Sequence, residues 1–178
     1  VKGGAVLKAK KDRTSASRYF YTILGGLTHL FVHEGVHIVV ALLFGVYEGV
    51  KILPIGIEVL IEEPLTIGGY KLAVFSGLSS ILTIVIGYGL LMLAPRILKI
   101  NSQPLKKYLY YVTLVFLLLD PIYLSLISFF VGGDINGIVL GLNIPYGLVR
   151  AVYFAIAVYN LYLVIKKLYP AYVTKYQT

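Results

Sequence analysis

Apolar residues run through this chain in four long blocks separated by short polar or glycine-rich stretches. The blocks lie at about Tyr19–Phe44, Leu72–Leu93, Tyr108–Val131 and Pro145–Ile165. Each holds roughly the 20 residues that a helix needs to cross the hydrocarbon core of a bilayer. Between the first two blocks the pattern changes. Glu48 to Lys71 carries Glu48, Lys51, Glu58, Glu62, Glu63 and Lys71, with Pro54 and Pro64 as breakers and Gly68-Gly69 at its end. Inside it, Val50-Lys51-Ile52-Leu53 and Ile57-Glu58-Val59-Leu60-Ile61 are β-branched and partly alternating, which predicts a short β-hairpin or extended loop. Ile135 to Ile144 is apolar but broken by Gly137, Gly141 and Asn143. It reads as a re-entrant or partly unwound segment, a backbone tolerated only where protein buries it or water lines it. The expected fold is an all-α membrane protein of about four transmembrane helices, with the hairpin or extended loop between helices 1 and 2.

Composition strengthens that reading. The 178 residues are 58% hydrophobic and 13% charged, against about 25% charged in a soluble domain. Residues 19–167 are expected to form a single transmembrane domain, flanked by a basic cytoplasmic tail, 1–18, and a second cytoplasmic tail, 168–178. The net charge of +8 does not indicate nucleic acid, because the basic residues flank apolar spans and form no patch on a polar domain. Six lie in the N-terminal tail, four between the second and third blocks, and three after the fourth, leaving only Lys51, Lys71 and Arg150 elsewhere. The positive-inside rule then puts both termini in the cytoplasm and the 50–61 segment outside, in a multi-pass protein of the cell membrane. Lys166-Lys167 are expected to stop the fourth span. Trp is absent, so Tyr19, Tyr21, Tyr70, Tyr108, Tyr110, Tyr111 and Tyr169 are expected to form the interfacial belt. The first apolar block is too long for the core of a cleavable signal peptide. With no cysteine, thiolate catalysis and Cys-ligated metal are excluded, and only His, Asp and Glu remain as strong ligands.

The chemistry concentrates in the first block, at His33-Glu34-x-x-His37. Residues four apart share a helix face, so both imidazoles can reach one ion. The spacing suits zinc, with Glu34 beside the first ligand as general base to a bound water. Two His and a Glu in the middle of an apolar span are costly, and such residues are functional by default. His29 lies one turn earlier. Three His at i, i+4 and i+8 span about 12 Å of axis, too far for one ion, so His29 is expected to act behind the ligands or as a packed polar residue. A third ligand is needed, and a carboxylate is the usual complement to two His. Asp120, in an Asp-Pro pair near the centre of the third block, and Asp134, after Gly132-Gly133, are the candidates. Depth along the helices favours Asp120. Without a metal role, Asp134 would pair with Arg150, and Asp120 would accept from Tyr or Ser hydroxyls between helices. Ser76-Gly77-Leu78-Ser79-Ser80 is a small-residue patch of the kind that lets membrane helices approach closely, or that backs a metal site with hydroxyls.

With these residues the chain resembles the site-2 protease class of intramembrane zinc metalloproteases, and within it the small bacterial and archaeal branch. The resemblance rests on His33-Glu34-x-x-His37 in a transmembrane helix, an Asp from around the third core helix, and the Ser76–Ser80 patch where the family has a Gly-rich element. Gly133-Asp134 followed by Asn143-Ile144-Pro145 also resembles that branch. It extends over roughly Thr28 to Ile165, and only the His-Glu-x-x-His element is highly specific. The chain departs from the family at Leu-Asp-Gly, where Leu119-Asp120-Pro121 is the nearest match, and it lacks the family's Asn-Pro elements. The resemblance implies peptide-bond hydrolysis in membrane-spanning or membrane-associated substrates, a zinc-bound water attacking with Glu34 as general base. It favours His33, His37 and Asp134 as ligands, with Asp120 the alternative third. The competing expectation is a non-enzymatic membrane protein whose metal site is structural or binds a partner.

Overall fold

The computed structural model describes residues 2–53, 56–62 and 68–176. Pro54, Glu63 and Pro64, read above as breakers and loop charge, lie outside them. The chain forms α1 (Lys2–Phe44), β1 (Tyr47–Leu53), β2 (Gly56–Ile61), α2 (Tyr70–Ile97), α3 (Gln103–Ser125), α4 (Asp134–Leu142), α5 (Tyr146–Leu163) and α6 (Tyr169–Tyr176). A 3-10 turn, Ile127–Phe129, follows α3, and a π turn, Val164–Leu168, joins α5 to α6. Four helical stretches are long and apolar enough to cross a membrane: Ala16–Phe44, Tyr70–Ile97, Gln103–Phe129 and Tyr146–Val173. The four expected spans and the hairpin between the first two are therefore present.

Three details differ from the sequence reading. The helix of the first span begins at Lys2, so the basic tail continues it; Ala, Lys and Arg are good helix formers. The helix of the fourth span does not end at Lys166 and Lys167. They are exposed on the π turn, while Val164 and Leu168 beside them are buried against α2 and α3; long basic side chains leave the apolar face this way. The interrupted Ile135–Ile144 stretch is not unwound. It is mostly the nine-residue helix α4. Its glycines serve close packing on α2: a Cβ at Gly137 would collide with the Ser76 side chain, and one at Gly141 would lie 2.7 Å from the Gly69 carbonyl oxygen. Ser76 thus takes the packing role that small residues have in membrane helices. Ser79 and Ser80 are also buried, and their hydroxyls have no hydrogen-bond partner among the described residues.

Helix ends set the geometry around α4 and the hairpin. Gly45 has φ 70° and closes α1 with paired bonds, Gly45 N–H to Leu42 O at 3.1 Å and Val46 N–H to Ala41 O at 3.0 Å. This is a Schellman ending, which turns the chain back over the helix. Val46 and Val59 then pack on Ala41, and Glu62 N–H donates to Val46 O at 2.9 Å. The hairpin is antiparallel, with Val50 opposite Val59 and Lys51 opposite Glu58, and an irregularity between Tyr47 and Gly49. At the other end of α4, Asn143 takes the left-handed conformation at φ 53° and Ile144 N–H reaches Val139 O at 3.2 Å. Pro145 then precedes the first turn of α5. Asn143-Ile144-Pro145 is therefore a helix stop followed by a helix start.

Pro121 lies inside α3. It has no N–H, so the carbonyl of Leu117 loses its helical partner. Asn160 of α5, fully buried, donates Nδ2–H to Leu117 O at 2.6 Å and accepts from Tyr88 of α2 at 2.6 Å. A break in the third span is thus satisfied by a side chain of the fourth, which the second holds in place. The end of the molecule away from the hairpin gathers Ile97 and Leu98 of the α2 terminus with Leu168 and Tyr172, and Leu109 and Tyr110 of α3 pack there too. Tyr21 of α1 stacks on Tyr111 of α3, ring centroids 6.3 Å apart. The basic segments that flank these residues therefore share one end.

Candidate metal centre

The inner face of α1 presents a polar stripe in an apolar helix. His29, His33 and His37 repeat every four residues and are all buried. Glu34 is half-buried and lines the same cavity as the three His. Facing the stripe are Asp120, on α3 just before its proline, and Asp134, the first residue of α4. Gly133, with φ 85°, lets the chain enter α4 at the angle that points Asp134 inward. A Cβ there would also strike the Tyr123 hydroxyl, which donates to Gly132 O at 2.7 Å.

Two clusters of possible ligands result, and they share His33. In the first, Nε2 of His33 lies 3.0 Å from Asp134 Oδ2 and 3.2 Å from Nε2 of His37, and His37 Nε2 lies 3.4 Å from Asp134 Oδ1. Donors bound at about 2.0–2.1 Å around a tetrahedral ion sit roughly 3.3–3.4 Å apart. Two imidazole nitrogens and a carboxylate at 3.0–3.4 Å have the donor set and spacing for a metal ion. Burial pushes the Asp134 carboxyl up, but the contacts with His33 and His37 outweigh it and hold it below the ordinary carboxylate range.

In the second cluster, His29 Nε2 lies 2.9 Å from Asp120 Oδ2, and His33 Nδ1 approaches Asp120 Oδ1 at 3.3 Å. Thr83 of α2 is in contact with the same carboxylate. Its single hydroxyl proton serves either Asp120 or the Ser80 carbonyl, 2.9 Å away.

Both aspartates of the sequence reading therefore reach the histidine stripe, one turn apart. Asp134 meets His33 and His37; Asp120 meets His29 and His33. The partners expected in the absence of a metal are different from those found. Arg150 does not pair with Asp134 through any hydrogen bond or ion pair among the described residues. Its Nε donates to Ser128 Oγ at 3.2 Å, another guanidinium nitrogen donates to Ser128 O at 2.9 Å, and it stacks over Phe129 at 3.9 Å. Asp120 is held by a Thr and two His rather than by Tyr or Ser. The Asp120–His29 pair is the feature that sequence reading missed. Its only signal was a third His on the stripe.

The centre opens into a cavity of about 820 Å³ between α1, the hairpin, α2, α3 and α4. Its walls include Leu30, Leu53, Val59, Leu72, Phe75 and Leu140, and Glu34 faces it beside His33 and His37. The possible metal ligands and the Glu34 carboxylate thus border a largely apolar chamber. Comparison with protein-family models, curated proteins and solved structures finds no match to this chain.

Proposed function

We propose that this chain is an intramembrane zinc metalloprotease of the site-2 protease class, with His33, His37 and Asp134 as zinc ligands and Glu34 as general base. The observation that carries the reading is the convergence of those three donors on one point beside Glu34 at the wall of an apolar cavity. Two His and a carboxylate leave a tetrahedral zinc one open position, the arrangement of catalytic rather than structural sites. Zinc, when bound, supplies Lewis acidity toward a water and a peptide carbonyl.

The chain's own groups supply the rest. Glu34 accepts a proton from the attacking water and returns it to the leaving amine nitrogen. Half-burial of Glu34 limits the water around it, and the apolar walls receive substrate side chains. Leu53, Ile57, Glu58 and Val59 of the hairpin line the cavity, so a locally unwound substrate segment would lie along an available strand edge. Such a substrate is a membrane-spanning or membrane-associated protein, met in the cell membrane with both termini of this chain cytoplasmic.

Glu34→Gln tests the reading. The variant should keep its zinc and lose cleavage by about 10²–10⁴-fold, the usual contribution of a general base. Membrane-fraction proteomics of cells carrying each form should show substrates accumulating with the variant. Equal turnover in both would reject the protease and leave a structural or partner-binding metal site.

A further inference from the structure

Asp120 and His29 lie outside the ligand set just proposed, yet both are buried, with Asp120 only 2% exposed. A buried carboxylate is expensive unless protein donors surround it. Here the hydrogen bonds come from two helices, from His29 of α1 and Thr83 of α2, and His33 Nδ1 of α1 approaches the other carboxylate oxygen at 3.3 Å. His33 touches both aspartates, through different nitrogens. Its Nε2 faces Asp134 and His37, and its Nδ1 faces Asp120.

One ring can serve both partners only in one tautomer without a second cation. With the proton on Nδ1, His33 donates to Asp120 and leaves the Nε2 lone pair free for an ion. The alternative is a second ion held by His29, Asp120 and Nδ1 of His33. That would make His33 a doubly deprotonated bridge, and the proton that His29 Nε2 donates to Asp120 would have to be lost to free a lone pair for the ion. Neither His33 nor His37 makes a well-aligned hydrogen bond through Nδ1 among the described residues, but that of His33 has the Asp120 carboxylate at 3.3 Å, whereas His37 packs on the Phe75 ring, centroids 4.8 Å apart. The two histidines are therefore not equivalent, and His33 is the one with a carboxylate behind it.

We propose that His29 and Asp120 are positioning residues: Asp120 accepts from Nδ1–H of His33 and fixes its tautomer and ring plane, and His29 holds Asp120 by donating to its other oxygen. This rests on the reading of His33, His37 and Asp134 as the metal centre. Groups that orient a ligand in this way typically contribute 10–100-fold to metal affinity.

The test is a zinc titration of the full chain in detergent against a competing chelator, with metal counted per chain. Wild type should bind one zinc. Asp120→Asn should still bind one, about 10–100-fold more weakly, and its cobalt-loaded form should show an altered visible spectrum. His29→Leu should weaken binding less. Added to Asp120→Asn it should cost nothing further, because its effect passes through Asp120. His29→Gln, which keeps an N–H donor, should recover most of what His29→Leu loses, which mere packing would not explain. If Asp120→Asn does not fold, the His29 pair decides alone. Two zinc ions in wild type, with one lost in Asp120→Asn, would overturn the proposal in favour of a second metal site. Wild-type affinity in Asp120→Asn or in His29→Leu would overturn it while leaving the metal centre intact. A wild-type chain that binds no zinc overturns the metal centre itself, and the proposal with it.

Discussion

Each member of the His33, His37 and Asp134 cluster has a specific reason to be where it is. His33 and His37 are placed by helix periodicity, so they could be read from four-residue spacing alone. Asp134 arrives through Gly133 and its positive φ, a local backbone feature with no periodic signature. If the three act as ligands, truncation should separate them from Asp120. His33→Ala, His37→Ala and Asp134→Ala each remove a donor atom and should bind zinc more weakly than any variant that only disturbs orientation. That places their loss beyond the ~10–100-fold range typical of supporting residues. Asp120→Ala should fall within it. Zinc content after equilibration with a graded chelator series would rank the four. An Asp134→Ala protein at full occupancy beside an empty Asp120→Ala protein would exchange the roles of the two carboxylates. The partnership of His29 with Asp120 was not legible because the two are 91 residues apart in sequence, and a single chain carries no signal of which helix faces align. The partner of Arg150 was hidden for the same reason: nearness to Asp134 in the sequence-based topology, which offered a salt bridge as the alternative to a metal role, said nothing about Ser128 in the middle of a 3-10 turn.

Among the elements, the spans and the hairpin were legible because length and hydropathy decide the first and β-branched alternation the second. Helix α4 was not. Its glycines lower helix propensity, and only packing against α2 turns that cost into an advantage. That packing makes a sign prediction. Replacing a helical Gly by Ala stabilises by roughly 0.5–1 kcal/mol where space allows. Gly147, in the first turn of α5, has nothing within 4 Å of an added Cβ, so Gly147→Ala should raise the unfolding midpoint slightly. At Gly141 the added methyl meets the backbone of Ala73 and Gly69, which cannot rotate aside as a side chain can. Gly141→Ala should therefore destabilise, by about 1–3 kcal/mol, the range for overpacking. Since α4 begins with Asp134, the same variant should also weaken zinc binding. Midpoints measured in one detergent would check both. A stabilised Gly141→Ala protein would mean that α4 does not approach α2 as closely as described.

For the whole molecule, the decisive feature is the segregation of charge between its two ends. The hairpin and the end of α1 form one end, close to the His33, His37 and Asp134 cluster. The α2–α3 connection, the start of the first span and the C-terminal helix form the other, where the lysines and arginines gather. In a cell membrane the basic end should be cytoplasmic, so the hairpin and the mouth of the cavity should lie toward the opposite face. The absence of native cysteine makes this simple to measure, because any introduced thiol is the only one. Glu58→Cys places it on the exposed face of β2, and Asn101→Cys on the exposed α2–α3 connection. A membrane-impermeant maleimide added to intact cells should label the first and not the second. After permeabilisation both should react. Labelling of Asn101→Cys alone in intact cells would reverse the orientation, putting the hairpin and any substrate entering there on the cytoplasmic side. Labelling of both in intact cells would be incompatible with α2 as a membrane span, since its two ends would then share one face.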